Sequence, residues 1–386
     1  MQLKSERLTL LIVTILLCLL GLFFVFQASA VESLNRVGDP YHQFRRQLVG
    51  LVIGAVGLVI AWKIPTKWYL KFAWPLYIGG ILLTIMAFIP AFQSSSNLVA
   101  NANRWISIFG VFSLQTVEVV KLCLVVFFGF LLSRKVNLIS FAVFAGIPIG
   151  LILLQRDLGS LLVVGVCLLG MYFLAGARVK DMAFLGVAAM MLAIFAVFLP
   201  GGSGSDGGGN FRTDRVEVFL YVHTGRETEA DTWHVDQLLM GLGRGGAFGQ
   251  GIGNSRQRYA FIPETSTDSI FAIVGEEVGF VGSTFVILLY LFFFYLIFRI
   301  VTLAELDKAE RLIGYGILVL FAGQIFLNIA AISSLTPLTG ITLPFFSFGS
   351  SSLIMSLVLV GVILGLGVDV TPQFLVKNRK SRVIKK

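Results

Sequence analysis

The sequence predicts an all-α polytopic membrane protein, a bundle of about ten transmembrane helices carrying one large extracytoplasmic loop. Composition, span length and the charge of the connections predict it. With 56% hydrophobic residues, 13% charged residues, 35 Phe and a mean hydropathy of +0.88 over 386 residues, the chain cannot cover itself with a water-soluble surface. The core of such a protein is the bundle itself, so residues 1–386 read as a single transmembrane domain.

A helix rising about 1.5 Å per residue crosses about 30 Å of hydrocarbon in about 20 residues. Stretches of that kind lie near 8–28, 47–64, 70–92, 112–132, 137–154, 158–176, 181–199, 269–298, 312–334 and 349–369. The fifth and sixth are nearly fused at Gln155-Arg156-Asp157. The first has an alternative: Lys4 and Arg7 precede an apolar run ending in Ala28-Ser29-Ala30, the pattern of a cleaved signal peptide. Against it, the run is long for a signal peptide, and its loss would upset the even number of spans. Cys18, Cys123 and Cys167 are scattered in apolar helices, without the spacing of a metal site or a disulfide framework, and read as packing residues.

Orientation follows from the Lys/Arg bias of the connections. Lys4 and Arg7, then Lys63/Lys67/Lys71, Arg134/Lys135, Arg178/Lys180, Arg299/Lys308/Arg311 and the basic tail 375–386 fall on alternate connections. Both termini are therefore expected in the cytoplasm, with loop 200–268 outside. Arg45 and Arg46 run against the bias. The net charge of +9 sits mostly at the cytoplasmic ends, which suits anionic membrane lipid and requires no nucleic acid.

The long loop divides by composition. Residues 201–210 form a Gly/Ser linker, and Phe211 to Tyr221 regain the aromatic and charged character of a short interfacial helix. Gly241 to Gly253 hold seven glycines in thirteen positions. The G-x-G-x-x-G match at 241–246 lacks a preceding strand and a βαβ unit, which excludes a nucleotide fold. Two roles stay open: backbone amides exposed to phosphate or sugar, or a compact loop needing close backbone approach.

Charged residues at membrane depth are the next signal. Glu118 and Lys121 stand at i, i+3 on one face of the fourth span, where they can neutralise each other. Asp157, Glu276, Glu277 and Asp268 gather with them toward the outer end of the bundle, beside the long loop. Thr267/Asp268 before an apolar run is also a helix-capping signature, so local sequence leaves Asp268 between cap and chemistry.

Several motifs carry a resemblance. They are Arg104-Trp105-Ile106, Gln115 with Glu118 and Lys121, Gln155 with Asp157-x-Gly159, Arg212-x-x-Arg215, Gln237, and Gly253-x-Ser255. Further on come Pro263-Glu264-x-x-Thr267-Asp268-x-Ile270-Phe271-Ala272-x-x-Gly275-Glu276-Glu277-x-Gly279, Gln324-x-x-x-Asn328, and Pro337-x-Thr339-Gly340-x-x-Leu343-Pro344-Phe345-x-Ser347. In this order, over nearly the whole chain, they resemble the SEDS proteins, the RodA/FtsW/SpoVE peptidoglycan polymerases. Gly38-Asp39-Pro40 with Arg46-Gln47, and Gly275-Glu276-Glu277, lie closer to the FtsW division branch than to RodA. The chain departs from the family pattern at Thr116-Val117 (Pro-Ser), Arg156 (Pro), Ser266 (His) and Phe348-Gly349-Ser350 (Tyr-Gly-Gly).

The resemblance implies a glycosyltransferase of the bacterial cytoplasmic (inner) membrane that polymerises lipid II and releases undecaprenyl pyrophosphate. Asp268 matches the family's essential aspartate, as general base or as ligand to a divalent cation, Mg²⁺ or Mn²⁺. Lys121, Arg215 and Arg258, with Arg104 and Arg212 behind them, are the expected pyrophosphate contacts. Trp105 is a sugar-stacking or interfacial residue. Glu118, Asp157, Gln237, Ser255, Glu264, Glu277 and Ser347 complete the expected substrate-binding set. The family works with a class B penicillin-binding protein, a transpeptidase, among other divisome or elongasome membrane proteins. A lipid II flippase, a non-catalytic scaffold and an elongation role are the alternatives. A transporter needs its ionisable groups near the midplane, reachable from both sides, and shows internal repeats, of which none is evident here.

Overall fold

The computed structural model describes residues 2–93, 103–108, 112–134, 137–198, 211–225, 228, 231–257 and 266–367. Linker 201–210 and tail 375–386 therefore lie outside the described residues, as do Arg258 and Glu264, together with the side chain of Arg212.

Each of the ten expected spans holds a helix. In chain order these are α1 (Gln2–Val37), α2 (His42–Lys63), α3 (Thr66–Lys71) continuing as α4 (Ala73–Met86), α5 (Thr116–Arg134), α6 (Leu138–Leu154), α7 (Leu158–Leu174), α8 (Val179–Phe198), α11 (Ile270–Leu303), α12 (Lys308–Ile332) and α13 (Ser350–Gly365). Five of them, α1, α2, α5, α11 and α12, are individually long and apolar enough to cross a membrane. The long loop supplies α9 (Phe211–Thr224), at the place of the expected short helix, and α10 (Trp233–Gly245).

Two boundaries are corrected. The expected span 112–132 begins as a strand: β1 (Trp105–Ile108) and β2 (Phe112–Gln115) pair antiparallel, Trp105 opposite Gln115, and α5 starts only at Thr116. Period-2 polar positions Ser107 and Ser113 lie opposite each other in that hairpin, a signal hidden by the apolar run that follows. The expected span 70–92 is broken, with α4 ending at Met86 and a 3₁₀ turn at Pro90–Phe92.

Among lipid-embedded helices, close approach through small residues replaces the hydrophobic effect as the packing force. Helices α2 and α13 make the most extensive contact. A Cβ on Gly361 would lie 2.4 Å from the Leu58 carbonyl, and one on Gly54 would lie 2.6 Å from Leu357 Cδ1. Helix α12 packs on α5 and α7, and α1 packs on α11.

Hydrogen bonds sort the connections into two ends. At one end Ser350 Oγ donates to the Arg46 carbonyl (3.2 Å), Ser266 Oγ to Gln43 Oε1 (2.7 Å), Arg104 Nη2 to the Arg156 carbonyl (2.5 Å) and Arg215 Nη1 to the Leu338 carbonyl (2.7 Å). At the other, Arg299 meets Glu6 at 3.1 Å and Arg7 donates to the Leu366 carbonyl. The described connections thus gather at opposite ends, and the described part of the long loop lies at the first.

Candidate active site

Asp268 lies where the loop enters α11. The N-cap of that helix is Ser269, whose side chain makes no capping bond, so Asp268 stands outside the cap position. Its Oδ1 accepts from Thr267 Oγ1 (3.3 Å) and Ser269 Oγ (3.4 Å). Its Oδ2 faces Gly340: a Cβ there would be 3.6 Å from Oδ2 and 3.9 Å from Arg215 Nη2. Carboxylate and guanidinium therefore flank a bare glycine held at φ +66°, a backbone conformation that favours the missing side chain although a Cβ would meet both groups only at ordinary contact distance. Asn328, buried on α12, clamps the arrangement from below. Its Nδ2 donates to the Asp268 carbonyl (2.9 Å) and the Ile341 carbonyl (2.6 Å).

Arg215 on α9 is half-buried. Burial lowers its pKa from the usual arginine value, and attraction to Asp268 opposes the shift. Ser266, which stands in the place of the family's His, is buried and directed to Gln43 on α2 rather than to the carboxylate.

Asp157 caps α7 beside this pair. Its carboxylate accepts from the Ser160 amide (3.0 Å), Ser160 Oγ (2.9 Å) and Gln115 Nε2 (3.4 Å), and Arg104 Nε lies 3.9 Å away. Burial alone would raise its pKa. Arg104, the Ser160 bonds and Lys121 outweigh burial and hold it below the usual carboxylate value. Arg104 and Asp157 also act electrostatically on Arg215. Two arginines and two aspartates thus form one cluster whose charges cancel, in which an incoming anion would draw on both guanidinium groups.

Deeper in the bundle, Lys121 Nζ donates to Glu118 Oε1 (2.8 Å) and Gln324 Oε1 (3.0 Å), and Gln324 Nε2 donates to the Thr342 carbonyl (3.0 Å). A cavity of about 20 Å³, bordered by Gln115, Glu118, Lys121, Ser160, Gly340 and Thr342, has room for about one water. Lys121 is 3% exposed and borders this cavity together with Gly340, the glycine that Asp268 and Arg215 flank.

The glycine run proves to be a packing device. A Cβ on Gly249 would lie 2.1 Å from the Glu277 carbonyl oxygen, and one on Gly245 would lie 2.0 Å from that of Gly275. The Gln250 and Gly251 amides donate to the Glu276 and Glu277 carbonyls (2.9 and 3.1 Å) at the kink of α11 at Gly279. Ser255, placed in the substrate-binding set by the resemblance, donates to Glu276 Oε2 (2.5 Å), which also accepts from the Gln257 amide. Glu277 is fully buried on α11. Ser347 Oγ accepts from the Leu343 amide (2.7 Å) and its carbonyl accepts from Gln47 (3.0 Å), which folds the turn leading to α13. Gln237 is half-buried on α10, and Trp105 is half-buried at the start of β1.

The described residues offer Asp268 as a single carboxylate for a cation that would take its remaining ligands from substrate phosphate and water. No three of their His, Cys, Asp or Glu side chains form a group able to hold one, and the positive charge beside Asp268 is Arg215. Gln324, Asn328 and Gly340 belong to the site without having been assigned a role from sequence. The i, i+4 polar pair Gln324/Asn328 on an otherwise apolar helix was the available signal.

Fold and site together define a polytopic membrane protein with an aspartate–arginine centre roofed by its long loop at one end of the bundle. The FtsW/RodA/SpoVE profile, described as cell cycle protein, matches residues 7–370, and the chain belongs to this family. A Trichlorobacter lovleyi protein named probable peptidoglycan glycosyltransferase FtsW is 31% identical over 95% of this chain and 94% of its own. A Coxiella burnetii protein of the same name is 34% identical (92% and 94%), and stage V sporulation protein E of Bacillus subtilis is 33% identical (93% and 96%). Among solved structures, a chain of a peptidoglycan synthase complex matches with a TM-score of 0.73 at 24% identity, covering 94% of this chain and 97% of that one. The rod shape determining protein RodA of Thermus thermophilus matches with a TM-score of 0.66 at 23% identity, covering 94% and 96%. At these identities the structures speak for the fold alone.

Proposed function

We infer that this chain is a peptidoglycan glycosyltransferase that polymerises lipid II at the outer face of the bacterial cytoplasmic membrane, in septal wall synthesis. Family membership and the names of its relatives support that reaction. The observation that carries the chemistry is the Asp268 carboxylate set against Arg215 across Gly340. The 4-hydroxyl of an acceptor N-acetylglucosamine attacks the anomeric carbon of a donor N-acetylmuramic acid. As the new C–O bond forms, the hydroxyl proton passes to Asp268 and the bond to the pyrophosphate oxygen breaks. Arg215, with Arg104 behind it, faces the charge that builds on the departing undecaprenyl pyrophosphate.

The Lys/Arg bias puts both termini in the cytoplasm and the site outside, where the sugar chain grows. The partner is a class B penicillin-binding protein. A polymerisation and crosslinking synthase complex among the structural matches supports that pairing.

The test is glycan synthesis from lipid II by the reconstituted protein with its transpeptidase, wild type against Asp268→Asn at equal abundance. Polymer from the wild type and none from the variant is expected. A variant as active as wild type would remove Asp268 from the mechanism.

A further inference from the structure

Asp268 is linked to a second titratable group that its own sequence neighbourhood does not contain. His234, in the first turn of α10, is half-buried and places Nε2 3.3 Å from Ser269 Oγ. The same hydroxyl lies 3.4 Å from Asp268 Oδ1. Ser269 is 1% exposed and makes no side-chain cap to α11 although it holds the N-cap position. An N-cap serine ordinarily uses its oxygen on the helix amides. Here that oxygen stands between an imidazole and a carboxylate instead.

We propose that His234 relays the proton of the reaction, coupled to Asp268 through the Ser269 hydroxyl. It rests on Asp268 acting as the base, as inferred above. The proton leaves the acceptor hydroxyl for the Asp268 carboxylate. The resulting acid gives a proton from Oδ1 to Ser269 Oγ while the Ser269 hydroxyl proton moves to Nε2 of a His234 ring protonated on Nδ1. Carboxylate and hydroxyl are restored, the imidazolium releases its Nδ1 proton to water, and proton exchange with water returns the ring to the Nδ1-protonated form for the next turn.

The surroundings suit a group that changes charge. Asp231 and Asp236 flank His234 on its own segment, and Arg215 on α9 lies across Asp268. Helix α11 brings Glu276 and Glu277 two turns beyond Ser269, and α12 presents Asn328, which does not titrate. The relay makes His234 a positioning residue for the proton, because it acts through Ser269 and touches no substrate atom.

The experiment measures polymerisation of lipid II by the full-length reconstituted protein between pH 5.5 and 8, for wild type, His234→Gln, Ser269→Ala, the double variant and Asp268→Asn. The relay needs a neutral ring to take up the proton, so the wild-type rate should rise with pH through an inflection that His234 sets. His234→Gln should lose that inflection and fall about tenfold at pH 7.5, a fraction of what a direct acid–base group supplies. Ser269→Ala should reproduce both changes, and the double variant should add nothing further. Curves normalised to their maxima separate the relay from misfolding, since partial unfolding lowers amplitude without moving an inflection.

A normalised His234→Gln curve that superposes on wild type overturns the relay. So does a Ser269→Ala variant that keeps the inflection His234→Gln has lost. An active Asp268→Asn overturns the underlying assignment of the base instead.

Discussion

Asn328→Leu removes the clamp beneath the candidate base while keeping the side chain's volume. The Asn328 amide nitrogen makes two hydrogen bonds, at 2.9 Å to the Asp268 carbonyl and 2.6 Å to the Ile341 carbonyl, and the residue is 2% exposed. Leucine donates to neither, and each buried carbonyl left without its partner costs about 1–3 kcal/mol. The sum is about 2–6 kcal/mol, placed on the two segments that present Asp268 and Gly340. If about 2 kcal/mol of it appears as loss of transition-state positioning, the polymerisation rate falls about 30-fold. Glycan length distributions and rates from lipid II, with thermal unfolding followed in the same detergent, measure both parts. Asn328→Leu with wild-type rate and wild-type unfolding temperature would refute the clamp.

Gly249→Ala should be severely destabilising. Its Cβ would sit 2.1 Å from the Glu277 carbonyl at φ +82°, so the loop must lift and break the Gln250 and Gly251 bonds to α11, a loss of order 3 kcal/mol read as a lower unfolding temperature. Lys121→Met and Glu118→Gln should each cost about 3–5 kcal/mol by stranding a buried charge, whereas the double variant should recover much of it; the double falling as low as the sum of the singles would refute a structural pair. Asp157 has its folded-state pKa depressed below 3.8, so its contribution to stability is complete above that value and disappears as pH falls through the lower one. Acid unfolding of wild type should therefore steepen below about pH 4 relative to Asp157→Asn, and parallel curves would show that the carboxylate contributes nothing.

The sequence alone determined the membrane class, the ten spans, the two-sided alternation of the connections and the family. Hydropathy and Lys/Arg bias are sums over many residues, and the bilayer imposes them on any spanning chain. It also marked Asp268 and Asp157, because charge near hydrocarbon is costly enough to be informative wherever it occurs, whereas Arg104 and Arg215 came only with the family resemblance.

Partnership was settled only in three dimensions. Whether Asp268 capped α11 or faced Arg215 depended on where the helix began, one residue later than the capping pattern implied. Whether the glycine run met a ligand or a helix depended on Gly249 lying against Glu277, residues separated by a loop of undetermined path in the sequence. The bonds of Ser255 to Glu276 and of Ser347 to Leu343 likewise appear only once the chain is folded. Asn328, Gly340 and His234 reach the site from three different segments. Hydrogen bonds act over about 3 Å, so residues distant along the chain become one site only when helix packing brings them that close.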